Sequence, residues 1–184
     1  MKTTGMKKMS SAFAALAACA MLLPAPAAGE GLLGQALGFL SGGRTLTVGT
    51  DIKADDITDF YHTVSTSTFP PHYQRYRFCV ENGEHRFFHE TREGDHWPLL
   101  ESDATDSGTK ILDQDEWAAF FRCVEGGSVK NREEHLESGG SGPWMFLYRK
   151  GGPKEGQEFY FSSPEAEFAF LKLCAALKKD AGKR

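Results

Sequence analysis

The dipeptide Asn82-Gly83 constrains this chain more than any other feature of it. It stands between two runs of alternating polarity, Tyr73 to Glu81 and Glu84 to Arg92. A two-residue hairpin turn needs positive φ at both of its central positions, and Asn-Gly meets that need at the least cost. A turn of this length fixes the register of the strands it joins. Glu81 then lies opposite Glu84, while Val80 opposite His85, Phe78 opposite Phe87 and Tyr76 opposite His89 share one face. The other face carries Cys79 with Arg86, Arg77 with Phe88, and Arg75 with Glu90. The face bearing Tyr76, Phe78, Val80 and Phe87 is the expected core.

The remaining elements follow from periodicity. Residues 45 to 53 and 57 to 65 hold the β-favouring Leu46, Val48, Phe60, Tyr61, Thr63 and Val64, and Pro70-Pro71 closes this section. A helix is predicted from Gln114 to about Glu125. Asp113 is its N-cap, Glu116 completes a capping box, and Leu112 with Trp117 forms a hydrophobic staple. Trp117, Phe120, Phe121 and Val124 fall on one stripe, and Gly126-Gly127 ends the helix. Residues 128 to 142 are polar and Gly-rich and read as a loop. Strands are predicted at Trp144 to Arg149 and Glu158 to Phe161. A last helix starts from Ser163 with Pro164 in its first turn, and Phe170, Leu171, Cys174 and Leu177 form its apolar face. The pattern predicts an α+β fold: one antiparallel sheet of about five to six strands with two helices packed on one face.

The first residues read as an export signal. Lys2, Lys7 and Lys8 precede an apolar run from Ala12 to Leu23, and Ala25 and Ala27 form an A-x-A cleavage site. The apolar run is shorter than the roughly 20 residues a membrane span needs. A second cleavage competes with the first. Leu16-Ala17-Ala18-Cys19 resembles a lipobox, and lipidation of Cys19 would hold the protein at a membrane surface. The expected organisation is a signal peptide at 1–27, a flexible tether or short docking helix at 28–43, and a single α+β domain at 44–180. The tether reading rests on Leu32, Leu33, Ala36, Leu37 and Leu40 at helical spacing, weakened by Gly31, Gly34 and Gly38. The expected location is periplasmic or extracellular, or lipid-anchored if Cys19 is modified.

Loss of residues 1–27 takes three lysines and no acid, leaving 18 basic against 25 acidic residues, a net charge of −7. A general nucleic-acid binder needs a basic face, so that class is excluded. Three cysteines remain, Cys79, Cys123 and Cys174, which permits at most one internal disulfide. Cys123 and Cys174 sit on the two predicted helices and are the expected pair; burial of all three as small apolar fillers is the competing reading.

Four groups of residues invite a functional reading. Tyr73, Arg75, Arg77, Arg86, Phe88 and Arg92 share the outer face of the hairpin. Guanidinium forks grip carboxylates and phosphates, and aromatic faces add stacking, so this face suits an anionic ligand or a partner protein. The plainer alternative is a solvated sheet face with Arg75 and Glu90 as a cross-strand pair. His89, Glu93, Asp95 and His96 fall in one stretch and suggest a metal-dependent enzyme or small hydrolase, although no recognised ligand spacing supports a metal there. His85 and His89 lie about 13 Å apart along a strand, too far for one ion with bonds of about 2 Å. Trp97 beside them reads as a plug at the core edge. Cys79 opposite Arg86 suggests a thiol of lowered pKa. The loop Arg132 to Gly140 reads as a plain surface connection.

Several stretches resemble a group of uncharacterised exported bacterial proteins. They are Tyr73-Gln74-Arg75-Tyr76-Arg77-Phe78, His89-Glu90-Thr91-Arg92-Glu93-Gly94-Asp95-His96-Trp97-Pro98-Leu99, Asp115-Glu116-Trp117 and Ser141-Gly142-Pro143-Trp144. The resemblance spans roughly Ile57 to Leu177 and implies a compact exported domain. The group has no assigned activity, cofactor or catalytic residue, so no site is carried over. The sequence therefore leads to the expectation of an exported, non-catalytic binding module of the bacterial envelope, needing no cofactor, with the small hydrolase or metal-dependent enzyme as the alternative.

Overall fold

The computed structural model describes residues 44–131 and 143–181. The export signal, the tether, Cys19 and the loop Arg132 to Gly140 lie outside the described residues. The chain is α+β, with a wholly antiparallel sheet and two α-helices.

The hairpin forms in the register the turn dictates. Strands β2 (Ile57–Thr66), β3 (His72–Glu81), β4 (Glu84–Glu93) and β5 (Ala104–Ile111) follow one another as a meander. Asn82 and Gly83 take φ of 54° and 80°, and every pair from Glu81–Glu84 to Tyr73–Arg92 is as expected. Helix α1 (Gln114–Val124) then carries the chain across the sheet to β6 (Ser128–Asn131). Strands β7 (Trp144–Arg149) and β8 (Gln157–Tyr160) fill the space between, β1 (Leu46–Thr47) forms the far edge, and α2 (Pro164–Ala181) closes the chain. The strand order is β1-β6-β8-β7-β2-β3-β4-β5.

The sheet thus has eight strands, not five to six. The two that sequence reading missed are β5 and β6. In Ala-Thr-Asp-Ser-Gly-Thr-Lys-Ile, strand β5 has no apolar alternation, because it is an edge strand with mostly exposed side chains. Strand β6 has four residues and one core side chain, Val129, and was hidden in the polar stretch read as a loop from 128 to 142. The strand expected at 45–53 shrinks to Leu46–Thr47. A tight turn follows, in which Asp51 accepts a hydrogen bond from the Thr47 amide at 2.9 Å.

Both helices start where their caps predict. The Glu116 amide donates to Asp113 Oδ1 at 2.8 Å, and the Asp113 amide donates to Glu116 Oε2 at 3.2 Å. Ser163 Oγ accepts from the Ala166 amide at 3.3 Å. Trp117, Phe120 and Val124 of α1, and Phe170, Cys174 and Leu177 of α2, are buried against the same sheet face, and Phe121 and Leu171 pack at the margin. Phe60 of β2 is fully buried and holds the two helices to the sheet. Its ring centroid lies 5.4 Å from Phe120, 5.5 Å from Phe170 and 5.1 Å from Phe159 of β8. Two residues expected in the core are not there. Val80 is 37% exposed because it sits beside the hairpin tip, and Trp97 is 55% exposed and plugs nothing.

The inner face also buries two histidines. His62 lies among Tyr76, Phe161 and Phe170, with Nε2 3.4 Å from Glu167 Oε1 and no partner for Nδ1. His89 lies against Phe87, with Nδ1 4.0 Å from Asp106 Oδ2. Burial disfavours the charged imidazolium and pulls both pKa values below the usual histidine range, outweighing the nearby carboxylates Glu167 and Asp106.

Two predictions follow from this core. Phe60→Ala should cost about 3–5 kcal/mol, read as a fall in the urea midpoint, whereas Phe168→Ala on the exposed side of α2 should change it by about 0.5 kcal/mol or less. Stability should also fall on acidification. The unfolded chain takes up protons at His62 and His89 below about pH 6.5, while the native state, with lowered pKa values, keeps them neutral until lower pH. The unfolded state then binds more protons, so unfolding is favoured as pH falls through that window. His62→Gln should flatten the slope of unfolding free energy between about pH 7 and pH 5; an unchanged slope would refute the assignment.

Candidate functional site

Strand alternation sends every second residue of β2, β3 and β7 to the face opposite the helices. The registers Tyr61–Phe146, Thr63–Trp144, Thr63–Arg75 and Ser65–Tyr73 align these residues in rows. They line an open cleft of about 310 Å³. Tyr61, Thr63 and Ser65 of β2 form its floor, with Tyr73 and Arg75 of β3 on one side. Trp144, Phe146 and Tyr148 of β7 form the other side. Tyr148 meets Tyr61 edge-on at 5.9 Å and rests on Gly156, where a Cβ would come within 2.7 Å of its ring. Gly156 also has a φ of 76°, so a side chain there is excluded twice over. Burial pushes the Tyr61 and Tyr73 hydroxyls above the ordinary tyrosine pKa, which keeps both as donors at neutral pH.

The arginines on this face differ in their partners. Arg77 forms a fork with Asp59, Nη2 to Oδ2 at 2.6 Å and Nε to Oδ1 at 3.0 Å, which raises its pKa further. Arg86 donates to Glu84 at 2.8 Å at the hairpin tip. Arg92 donates to Glu90 at 2.8 Å and stacks over Tyr73. The cross-strand pair expected between Arg75 and Glu90 is therefore not made: Glu90 turns to Arg92, two residues along its own strand. Among the described residues, no carboxylate lies within 4 Å of the Arg75 guanidinium. It sits over Tyr61 at 5.5 Å and Tyr73 at 5.3 Å, with Nε 3.4 Å from Thr63 Oγ1.

Of the six residues singled out from the sequence, only Tyr73 and Arg75 line the cleft. Arg77 borders it, Phe88 is half-buried on β4, and Arg86 and Arg92 are held in ion pairs of their own. Sequence reading missed Tyr61, Thr63, Ser65, Trp144, Phe146 and Tyr148. The available signal was Trp144, Phe146 and Tyr148 at every second position of a strand whose other face carries Met145 and Leu147. What periodicity could not supply was the pairing of β7 with β2.

The stretch from His89 to His96 does not converge. His89 is buried under the helices, Glu93 lies 3.7 Å from His72, Asp95 is exposed, and His96 lies 3.6 Å from Asp103. No group of three or more metal-ligating side chains comes together among the described residues. The expected Cys123–Cys174 disulfide is absent. Both thiols are free: Cys174 points into the core beneath α2, and Cys123 sits half-buried on the flank of α1. Cys79 is 3% exposed, and burial pushes its pKa up to about 11 despite Arg77 and Arg86 nearby, so it is not an activated thiolate.

Compared with protein-family models, curated proteins and solved structures, the chain matches none.

Proposed function

We propose that the protein is an exported, non-catalytic binding module that takes an anionic ligand in the cleft on the outer sheet face. The observation that carries this reading is Arg75. Each of Arg77, Arg86 and Arg92 on the same face is neutralised by a carboxylate, while Arg75 is held between two tyrosine rings at the edge of an aromatic cleft. A guanidinium fixed in orientation loses little freedom on meeting an anion, so its fork binds at reduced entropic cost. The cleft has the composition of a ligand site: aromatic walls, a few hydroxyls and one charge. Among the described residues its lining supplies no nucleophile beside a base and no carboxylate pair. Export is supported by the charged, apolar and small-residue order of the first 27 residues. No helix among the described residues is long and apolar enough to cross a membrane.

Two measurements test this reading. Intact-mass analysis of the protein recovered from cells should show a chain beginning just after Ala27, or a lipid-modified chain beginning at Cys19; an intact N-terminus at Met1 would refute export. Saturation-transfer NMR against a library of small carboxylates, phosphates and acidic sugars should find binders that lose their signal in Arg75→Gln and in Trp144→Ala. A library without one such binder would sink the binding reading.

A further inference from the structure

We infer that the ligand of this cleft is a carboxylated sugar ring, a uronic acid unit of a glycan, with its carboxylate on Arg75 and its ring against the aromatic walls. This rests on the binding reading above and narrows it by exclusion.

The charge in the cleft suits one carboxylate and not a phosphate. Among the described residues Arg75 is the single cation lining it, and no lysine, glycine or helix N-terminus joins it there. Phosphate dianions are usually held by several converging donors, backbone amides among them. A carboxylate needs one planar fork, and a guanidinium supplies it. Asp59 and Glu90 on the neighbouring positions are matched by Arg77 and Arg92, which leaves one unit of positive charge for the ligand.

The pairing of these strands disfavours capture of an extended peptide by strand addition. Strand addition needs a free sheet edge. Here β7, β2 and β3 are interior strands, paired on both sides over the middle of the cleft, so its floor there offers side chains only. Among the described residues no lining acid stands ready for a peptide ammonium.

The walls suit a polyhydroxylated ring. Tyr61, Tyr73, Trp144 and Tyr148 present flat apolar faces together with polar tips, and Thr63 and Ser65 add hydroxyls on the floor. Aromatic faces cover the C–H face of a pyranose while the hydroxyls meet its edge. Trp144 is 46% exposed at the open side, where it can cover a ring that projects from a longer chain. At about 310 Å³ the cleft is at the small end of ligand sites, which fits recognition of a single unit and not of an extended ligand.

The test is calorimetry on the purified protein with trigalacturonate, trimannuronate and a glucuronate-containing disaccharide. Each is compared with its methyl ester, and inorganic phosphate serves as competitor. At least one acid should bind, with its ester weaker by about ten- to hundredfold, the loss expected for a charge-assisted hydrogen-bonded pair. Arg75→Gln should lose as much for the acid and should no longer discriminate acid from ester. Arg75→Lys, which keeps the charge without the fork, should fall between. Trp144→Ala should weaken acid and ester alike, and an unchanged urea midpoint in each variant shows that the fold is retained. Equal binding of acid and ester would overturn the carboxylate grip while leaving a sugar-binding cleft. Displacement by phosphate at comparable affinity would overturn the sugar class while leaving an anion site. If no uronate binds, the inference is refuted, and Arg75-dependent hits in the wider library decide whether the binding reading survives it.

Discussion

The structure turns on a single strand. β2 is the join between the meander β2-β3-β4-β5 and the half made by β7, β8, β6 and β1. Its alternation assigns one job to each face. Inward, Phe60 touches rings from α1, α2 and β8, so one side chain ties both helices to the middle of the sheet. Outward, Tyr61, Thr63 and Ser65 make the floor of the cleft. A one-residue slip of β2 would exchange the two sets, placing hydroxyls in the core and Phe60 in water. The cost of that exchange is what makes the register, and with it the cleft, well defined.

On the outer face, competition among charges decides which arginine remains available. Arg75 and Glu90 are direct cross-strand neighbours, and such a pair would normally form. Arg92 lies two residues beyond Glu90 on the same strand and face and takes the carboxylate at 2.8 Å. Arg77 is likewise satisfied by Asp59 across the β2–β3 pair. Exposed ion pairs add little stability. Their effect here is selective: they neutralise Arg77, Arg86 and Arg92 and leave Arg75 held by two tyrosine rings and the Thr63 hydroxyl, within reach of an incoming anion.

Local signals were legible in the sequence wherever chemistry is local. The Asn82-Gly83 turn carried the whole β3–β4 register, and the Asp113–Glu116 box and Ser163-Pro164 carried both helix starts. Strands that owe their existence to a neighbour were not legible. Ala104–Ile111 is a strand because β4 offers it an edge, and Ser128–Asn131 because β8 and β1 flank it. The cleft was half legible for the same reason. Tyr73 and Arg75 followed from the hairpin, but Tyr61 and Trp144 join them only through the β2–β3 and β2–β7 pairings. Placing Cys123 and Cys174 on two helices that meet was not enough to make a disulfide: both are free thiols.

The distribution of apolar side chains over the outer face carries the last step. An antiparallel sheet covered on one side normally turns polar residues outward. β4 and β5 obey for the most part, with Arg86, Glu90, Ser107 and Thr109 facing out beside Phe88 and Ile111. β7 does not: Trp144, Phe146 and Tyr148 face outward while Met145 and Leu147 face the other way. A strand apolar on both faces is the pattern of a sheet with material on each side, yet both described helices lie on the Phe60 face. The departure from the rule is most concentrated on β7, β2 and β3, the strands that line the cleft. Random surface apolarity would scatter along the sheet. Densest around one uncompensated guanidinium, it marks the place where local rules of foldability yield to recognition.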